Sequence, residues 1–433
     1  MQTEIEEAGV SHASFFFLGI FTSLFRNLVT SKSFIYHLSS MHIVEIPSFF
    51  PPYGGEFCLE QSKALRTLGH EVRIISNVQL SVKKSPKDYL TFPYRRCFTE
   101  MQGVPVYQSY MRGLPLMIRP NVHRWVKIVR QMFKEYEKQY GRPDILHAHC
   151  AKWAGYAAML IGKEEGIPYV VTEHLSLMAL KEEFGEDTAN AWQIPLLRTV
   201  YEHAERVIPV AEEVVDDLSP LFGKDYRWTA ISNMIDVDFF SYRRREDKKN
   251  RPFRFVCLGK YVRRKGYDVL FKSFQQVHNQ NQQTELYIAG EGTDGNACRQ
   301  LFSHLSCALH IHPCGNLDKQ AVRELLYQSD ALVLATRDET QGLVLLEAMS
   351  TGIPVVTTEA VPQNVRIDKG CFIAPIDDVE AIADKMCEVM QLTDGEGEIF
   401  SRVVAEKVSP SVIANQLDAV MKDCVLSHRN REA

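Results

Sequence analysis

No two of the ten cysteines in this 433-residue chain form a C-x-x-C pair, and none joins a zinc-type Cys/His cluster. Scattered thiols argue for a reducing cytoplasm and against a disulfide frame or structural zinc. An excess of one charge is also missing. The 49 basic and 54 acidic residues leave a formal net charge of −5, which gives no global reason to expect nucleic acid as a partner. There is no repeat of solenoid period and no low-complexity tract. The apolar stretch ASFFFLGIFTSLF (13–25) is too short to cross a bilayer comfortably. Glu4, Glu6 and Glu7 ahead of it are wrong for a signal peptide, which begins with a basic region. Residues 1–40 are therefore read as an appended segment outside the fold, a membrane-touching anchor being the second reading. What remains is 45% hydrophobic and 24% charged, the composition of a globular protein long enough for two domains.

Two similar openings divide the chain. HIVEI (42–46) leads through PSFFPPYGG into a helical pattern and the strand EVRII, and FRFVCLG (253–259) leads through KYVRRKG into DVLFKSFQQV and ELYIAG. Each is strand, turn, helix and strand, the unit of a doubly wound parallel sheet. DILHAH (144–149), PYVVTEH (168–174) and RVIPVA (206–211) add strands to the first half; LHIHPCG, ALVLAT, IPVVTT and GCFIAP add them to the second. Between the halves lies SYRRREDKKNRP, charge-dense and without apolar period, which reads as a linker. The expected class is α/β, two Rossmann-like domains facing a cleft. The boundaries are 1–40 appended, 41–240 first domain, 241–252 linker, 253–400 second domain, and 401–433 a C-terminal helix packing on either half.

The run ALVLATRDETQGLVLLEAMSTGIPVVTT (331–358) carries the most chemistry. It reads as a buried strand, a loop, a helix over Gly342–Ser350, a Gly352 stop and another strand. Glu339 falls in the loop and Glu347 on the apolar helix, where a carboxylate is costly to bury without donors. Amides near Gly342 and Leu343 at the helix start make an anion site. From there to Glu347 is roughly 7–8 Å of helix, so one ligand can set phosphate on the helix tip and hydroxyls on the carboxylates. Arg263, Arg264 and Lys265 crowd another helix start, where the dipole disfavours cations unless an anion binds. Gly54 and Gly55 sit in the first strand-to-helix turn, where glycine lets backbone approach a ligand. His147 and His149 end a strand at its carboxyl edge, two apart and on one face, and His174 ends the next.

These stretches resemble the family-4 retaining glycosyltransferases (glycosyl transferases group 1), which have the GT-B fold. The resemblance rests on IPSFFPPYGGEF, DILHAH, ISNMIDVDFF, LGKYVRRKG, LYIAGEG and DETQGLVLLEAMSTGIPVV, and runs from about Met41 to about Lys385. It implies that Glu339 holds donor-sugar hydroxyls and Glu347 the ribose, that Lys260 and Lys265 bind the diphosphate, and that the Gly54–Gly55 loop lies beside the donor. It carries the reactive-site histidine to His149. Two departures stand out. Lys260 occupies a position where Arg is commoner and loses the bidentate fork, and Pro362-Gln363-Asn364 replaces the usual Pro-Glu.

The expected activity is metal-independent, retaining transfer of a hexosyl group from a nucleotide-diphosphate sugar to a glycan or lipid-linked acceptor in cell-surface polysaccharide assembly. It needs no cofactor. The expected place is the cytoplasm, with peripheral contact to the inner face of the membrane where the basic segments Lys83, Lys84, Lys87, Arg95, Arg96 and 121–140 meet anionic lipid. The alternatives are a GT-B sugar-nucleotide epimerase or hydrolase, and a non-catalytic nucleotide-sugar-binding subunit. Two motif matches are set aside. GEGTDG (290–295) spells a dinucleotide fingerprint but follows the wrong strand, and Asp236-Val237-Asp238 spells a metal-binding D-x-D but precedes the linker.

Overall fold

The computed structural model describes residues 40–83, 85–93, 95–184, 192–244, 251–392 and 395–432. The segment expected to be appended lies outside them apart from Ser40, as do 245–250 of the expected linker and Lys84.

The first half runs β1 (His42–Pro47), α1 (Glu56–Thr67), β2 (Glu71–Leu80), α2 (Pro86–Thr91), β3 (Cys97–Met101), β4 (Val104–Arg112), α3 (Ile118–Tyr140) and β5 (Ile145–His149). It continues with α4 (Tyr156–Glu165), β6 (Tyr169–Glu173), α5 (Leu177–Phe184), α6 (Gln193–His203), β7 (Arg206–Pro209) and α7 (Glu213–Phe222). Its sheet has the order β3-β4-β2-β1-β5-β6-β7, and β3 alone is antiparallel, to β4. β1 and β5 are central and buried along nearly their whole length, as strands covered on both faces must be. The β3–β4 hairpin went unread in the sequence. Its turn is Gln102-Gly103, both with positive φ, the geometry of a tight hairpin.

The second half runs β8 (Phe253–Leu258), α8 (Tyr267–Gln280), β9 (Thr284–Ala289), α9 (Asn296–Phe302), β10 (Ile311–Gly315), α10 (Lys319–Gln328) and β11 (Ala331–Leu334). Then come α11 (Leu343–Ser350), β12 (Val355–Thr358), β13 (Cys371–Ala374), α12 (Val379–Val389), α13 (Glu396–Val408) and α14 (Pro410–Glu432). The sheet order is β10-β9-β8-β11-β12-β13, with every pairing parallel. Both halves are thus Rossmann-like, and ligand loops gather at the carboxyl ends of the strands.

α3 turns Val122, Trp125, Val126, Val129, Met132, Phe133 and Tyr136 into the core of the first half. Its apolar stripe is therefore packing, as an amphipathic surface helix requires. α14 crosses back over the first half. Asp418 meets His70 at 2.8 Å, Asp423 meets Arg206 at 2.9 Å, and Arg429 meets Asp144 at 2.7 Å.

Candidate active site

The loop between β11 and α11 is the hub of the site. Its geometry begins with Gly342, whose φ of 77° lies in the left-handed region. A Cβ there would stand 2.8 Å from Leu345 Cδ1 and 3.2 Å from Glu339 Cγ, so only glycine suits the turn. The helix starts at Leu343, one residue later than expected. Arg337 fixes the base of the loop: its guanidinium bonds both oxygens of Asp268 (3.0 and 2.8 Å), Asp377 (2.6 Å) and the Arg263 carbonyl (2.7 Å). That bidentate fork ties the loop to the short 3-10 turn Arg263–Lys265.

Lys265 and Glu339 meet there. The Lys265 ammonium donates to Glu339 Oε2, and each side chain is only 11% exposed. A partly buried pair of this kind keeps two charges neutralised and aimed. Lys260 is not part of it. Its ammonium points outward to Glu291 Oε2 at 2.7 Å, on the surface. Glu347 sits half-buried on α11, with its carboxyl pushed up to about 7 by burial, eased by Lys319 and raised further by Glu60. Lys319 itself bridges to Glu60 Oε1 on α1 at 3.2 Å, so the ribose-side carboxylate expected from the sequence lies beside a contact between the two halves.

On the first half, Gly55 (φ 84°) could not carry a Cβ without placing it 2.0 Å from the Phe49 carbonyl oxygen, whereas a Cβ on Gly54 would meet nothing within 4 Å. Gly55 thus serves the turn, and Gly54 presents open backbone.

The histidines form a chain. Glu45 on β1 is fully buried; its Oε2 lies 2.8 Å from His147 Nδ1 and 2.8 Å from His149 Nε2. Burial pushes the Glu45 carboxyl up, but the two imidazoles outweigh this and hold it down at about 2. His149 Nδ1 is 3.2 Å from His174 Nε2, and His174 Nδ1 is 3.3 Å from the Asn233 side-chain amide. Burial lowers the pKa of both His149 and His174. With Glu45 ionised and both imidazoles neutral, one assignment satisfies the chain: Asn233 donates to His174, His174 to His149, and His149 to Glu45. His149 is 0% exposed with both ring nitrogens engaged, so direct contact with a sugar needs that chain to open. His174 is half-buried, with its ring stacked on Phe57 at 3.8 Å. The other nitrogen of His147, Nε2, meets Thr172 Oγ1 at 2.6 Å.

Two clasps cross between the halves at the same loop. Ser176 donates to Asp338 Oδ2 at 2.7 Å. Gln341 takes the Asn233 backbone: the Asn233 N–H donates to its Oε1 (3.0 Å), and its Nε2 donates to the Asn233 carbonyl (3.3 Å). Gln61 fixes the Asn233 side chain by donating to its Oδ1 at 3.2 Å. Glu173, also fully buried, accepts from Ala151 N (3.0 Å), Tyr201 Oη (2.7 Å), His174 N (3.0 Å) and Leu175 N (3.1 Å). It holds the loops after β5 and β6.

Glu45, Glu173, Asn233 and Gln341 were not singled out from the sequence. The signal for the two acids was there. Each is a carboxylate inside an apolar strand, the same oddity that drew attention to Glu347. Among the described residues, Glu45, Cys58 and His149 form the one group with metal-ligating atoms within 4.8 Å of one another. Glu45 Oε2 and His149 Nε2 of that group are hydrogen-bonded to each other at 2.8 Å. Asp236 of the D-x-D caps a turn, accepting from Phe239 N at 3.0 Å.

Two Rossmann-like parallel-sheet domains that meet at this loop have the architecture of the GT-B glycosyltransferases. Residues 54–239 match the profile of Glycosyltransferase Family 4, and residues 252–392 that of Glycosyl transferases group 1. The chain belongs to this group 1, family-4 set of glycosyltransferases. It is 24% identical over 323 residues to the putative teichuronic acid biosynthesis glycosyltransferase TuaC of Bacillus subtilis (strain 168), covering 72% of this chain and 78% of that one. Sucrose-phosphate synthase from Thermosynechococcus elongatus shares the fold with a TM-score of 0.71 at 17% identity, covering 89% of this chain and all of that one (100%). Anabaena Alr3699/HepE in complex with UDP-glucose matches with a TM-score of 0.64 at 16% identity, covering 88% and 99%.

Proposed function

We propose that the chain is a retaining, metal-independent hexosyltransferase that uses a nucleotide-diphosphate sugar as donor and a glycan or lipid-linked molecule as acceptor. The observation that carries this reading is the buried Lys265–Glu339 pair beside the loop that leads into α11, with the half-buried Glu347 on that helix. Donor binding exchanges partners. The diphosphate takes Lys265 and the first-turn amides near Gly342 and Leu343, while Glu339 accepts from sugar hydroxyls and Glu347 from the ribose. The UDP-glucose complex of the HepE relative supports a nucleotide-sugar donor. Lys260 reaches the diphosphate only by leaving Glu291, where its exposed pair is worth little.

In the proposed reaction the C1–oxygen bond to the diphosphate breaks as the acceptor oxygen bonds C1 on the same face. The acceptor proton passes to the departing phosphate oxygen. Lys265 and the helix amides stabilise the charge that develops there, so full activity is expected in the presence of EDTA. His149 acts from within the chain that ends at His174. Assembly of cell-surface polysaccharide suits this reaction, and the teichuronic acid relative supports that context. Among the described residues no helix is long and apolar enough to cross a membrane.

The test is a panel of nucleotide-diphosphate sugars incubated with and without acceptors and followed by proton NMR. The expected result is a new glycosidic bond with the donor's anomeric configuration, formed only when acceptor is present. An inverted product, isomerised donor, or donor bound without turnover would each overturn the proposal.

A further inference from the structure

α2 and the loop from Gly113 to α3 form one rim at the carboxyl end of β2 and β4. Six large apolar side chains project from it into solvent: Val82, Leu90, Leu114, Leu116, Met117 and Ile118. Leu90 is 77% exposed and Leu116 fully so, at 102%. Single exposed leucines are ordinary, but a cluster of this kind marks an interaction surface. The backbone beneath is not a loose tail. Asn121 clamps Leu114 from both sides, its Oδ1 accepting from Leu114 N and its Nδ2 donating to Leu114 O, each at 2.8 Å. Arg112 donates to the carbonyls of Leu90 (3.2 Å) and Phe92 (2.9 Å), and Tyr89 Oη to that of Gly113 at 3.3 Å. A hydrogen-bonded frame therefore holds the apolar tips outward.

Cations surround them. Lys83, Lys87, Arg95, Arg119 and Lys127 are all exposed. Further along α3, Arg130 and Lys134 are taken up by Glu164 of α4 and Arg124 by the Arg112 carbonyl, which leaves Arg119 and Lys127 as that helix's share of the collar. The acid on α2, Asp88, accepts a hydrogen bond from Tyr53. Apolar tips within a cationic collar are the chemistry of a surface that enters the headgroup layer of an anionic bilayer. The apolar stripe of α3 plays no part, since it is buried in the core. A second copy of the chain is a poor occupant, because a two-fold contact would bring the same cations face to face.

We infer that this rim docks the enzyme on an anionic lipid surface and that its acceptor is membrane-borne. The second half of the statement rests on the transferase reading. Tyr53, whose hydroxyl reaches Asp88, immediately precedes Gly54, so docking brings the glycine loop and the acceptor side of the cleft to headgroup level.

Vesicle flotation of the full chain, without donor or acceptor, tests the docking. The vesicles are phosphatidylcholine alone and an equal mixture of phosphatidylcholine and phosphatidylglycerol. The chain should float with the mixture, be released by salt, and largely stay behind with phosphatidylcholine. Lys83→Ala with Lys87→Ala should weaken partitioning roughly thirtyfold, about fivefold per cation. Leu116→Ser with Met117→Ser should weaken it at least about tenfold. Both variants should unfold at the wild-type temperature, since all four side chains are exposed. Residues 1–40 are constant throughout, so undiminished flotation of both variants would assign binding elsewhere and overturn the inference. So would no flotation at all, or a dimer that the loop variant dissolves in place of lipid binding. Nucleoside-diphosphate binding, measured on the same samples, reports separately on the donor reading.

Discussion

Gln341 and Asn233 exchange two hydrogen bonds across the cleft, the Asn233 N–H to Gln341 Oε1 at 3.0 Å and Gln341 Nε2 to the Asn233 carbonyl at 3.3 Å. Gln341 stands in the loop that holds Glu339, and the Asn233 side chain stands at the end of the histidine chain. The side expected to bind donor and the buried carboxylate of the first half are thus joined by one amide. This contact makes the arrangement of the loop and the hydrogen-bond polarity of His174 a single property of the closed cleft.

Gln341→Leu removes the amide but keeps the bulk, and it leaves the Asn233 backbone groups buried without partners, at about 1–3 kcal/mol. If closure assembles the reacting geometry, kcat should fall roughly tenfold or more, while nucleoside-diphosphate affinity stays within about twofold. Steady-state kinetics beside calorimetric titration separate the two. Equal losses in both would make Gln341 a donor-binding residue instead.

Glu347 links donor binding to pH. Its carboxyl is pushed up to about 7 by burial, above the range of an exposed glutamate. In the free protein the ionised form is therefore disfavoured, and the penalty grows as pH rises from the unfolded value through about 7. A nucleotide whose ribose hydroxyls donate to the carboxylate favours the ionised form. Binding should release a proton near neutrality and weaken as pH falls below about 7. Glu347→Gln should abolish that pH dependence, lower affinity about tenfold to a hundredfold, and leave the free protein more stable than wild type at alkaline pH. Titrations in buffers of different ionisation enthalpy measure the proton; release that persists in Glu347→Gln would place it on another group.

Glu45 has the opposite sign. Its folded carboxyl is held down at about 2, so it contributes stability above the unfolded value that is lost as pH falls toward about 2. Glu45→Gln should therefore destabilise the protein by a constant amount at neutral pH, and the gap from wild type should close as the solution is acidified below about 4. Denaturant melts across that range check it. A gap that widened on acidification would mean that Glu45 is protonated in the folded chain.

Much of this was legible in the sequence because chemistry and pattern coincide at the same residues. The strand–loop–helix around Glu339 and Glu347 announces itself through two carboxylates in an apolar run, and its helix begins within one residue of expectation. Lys265 stood out as a cation at a helix start, and it is the partner Glu339 takes. Lys260 was beyond such reasoning. Lys265 is enclosed beside Glu339 while Lys260 faces outward to Glu291, a difference of side-chain direction rather than pattern. The β3–β4 hairpin escaped because Phe98, Thr99 and Glu100 are exposed and give no alternating apolar face. His149 showed its place on the strand but not its enclosure, which comes from Glu45 on β1 and from His174 just past the end of β6. The clasp of Gln341 on Asn233 joins residues 108 apart, and no local spacing encodes it.

The central claim is that Lys265, Glu339 and Glu347 form one donor cradle. Its most direct test is calorimetric titration of UDP, ADP and GDP into the wild type and into Lys265→Ala, Glu347→Ala and Glu339→Ala. At least one nucleoside diphosphate should bind the wild type. Lys265→Ala and Glu347→Ala should weaken that binding at least about tenfold, and Glu339→Ala should keep it while losing sugar transfer. Wild-type affinity in all three variants, or no binding of any nucleoside diphosphate to the wild type, would contradict the account.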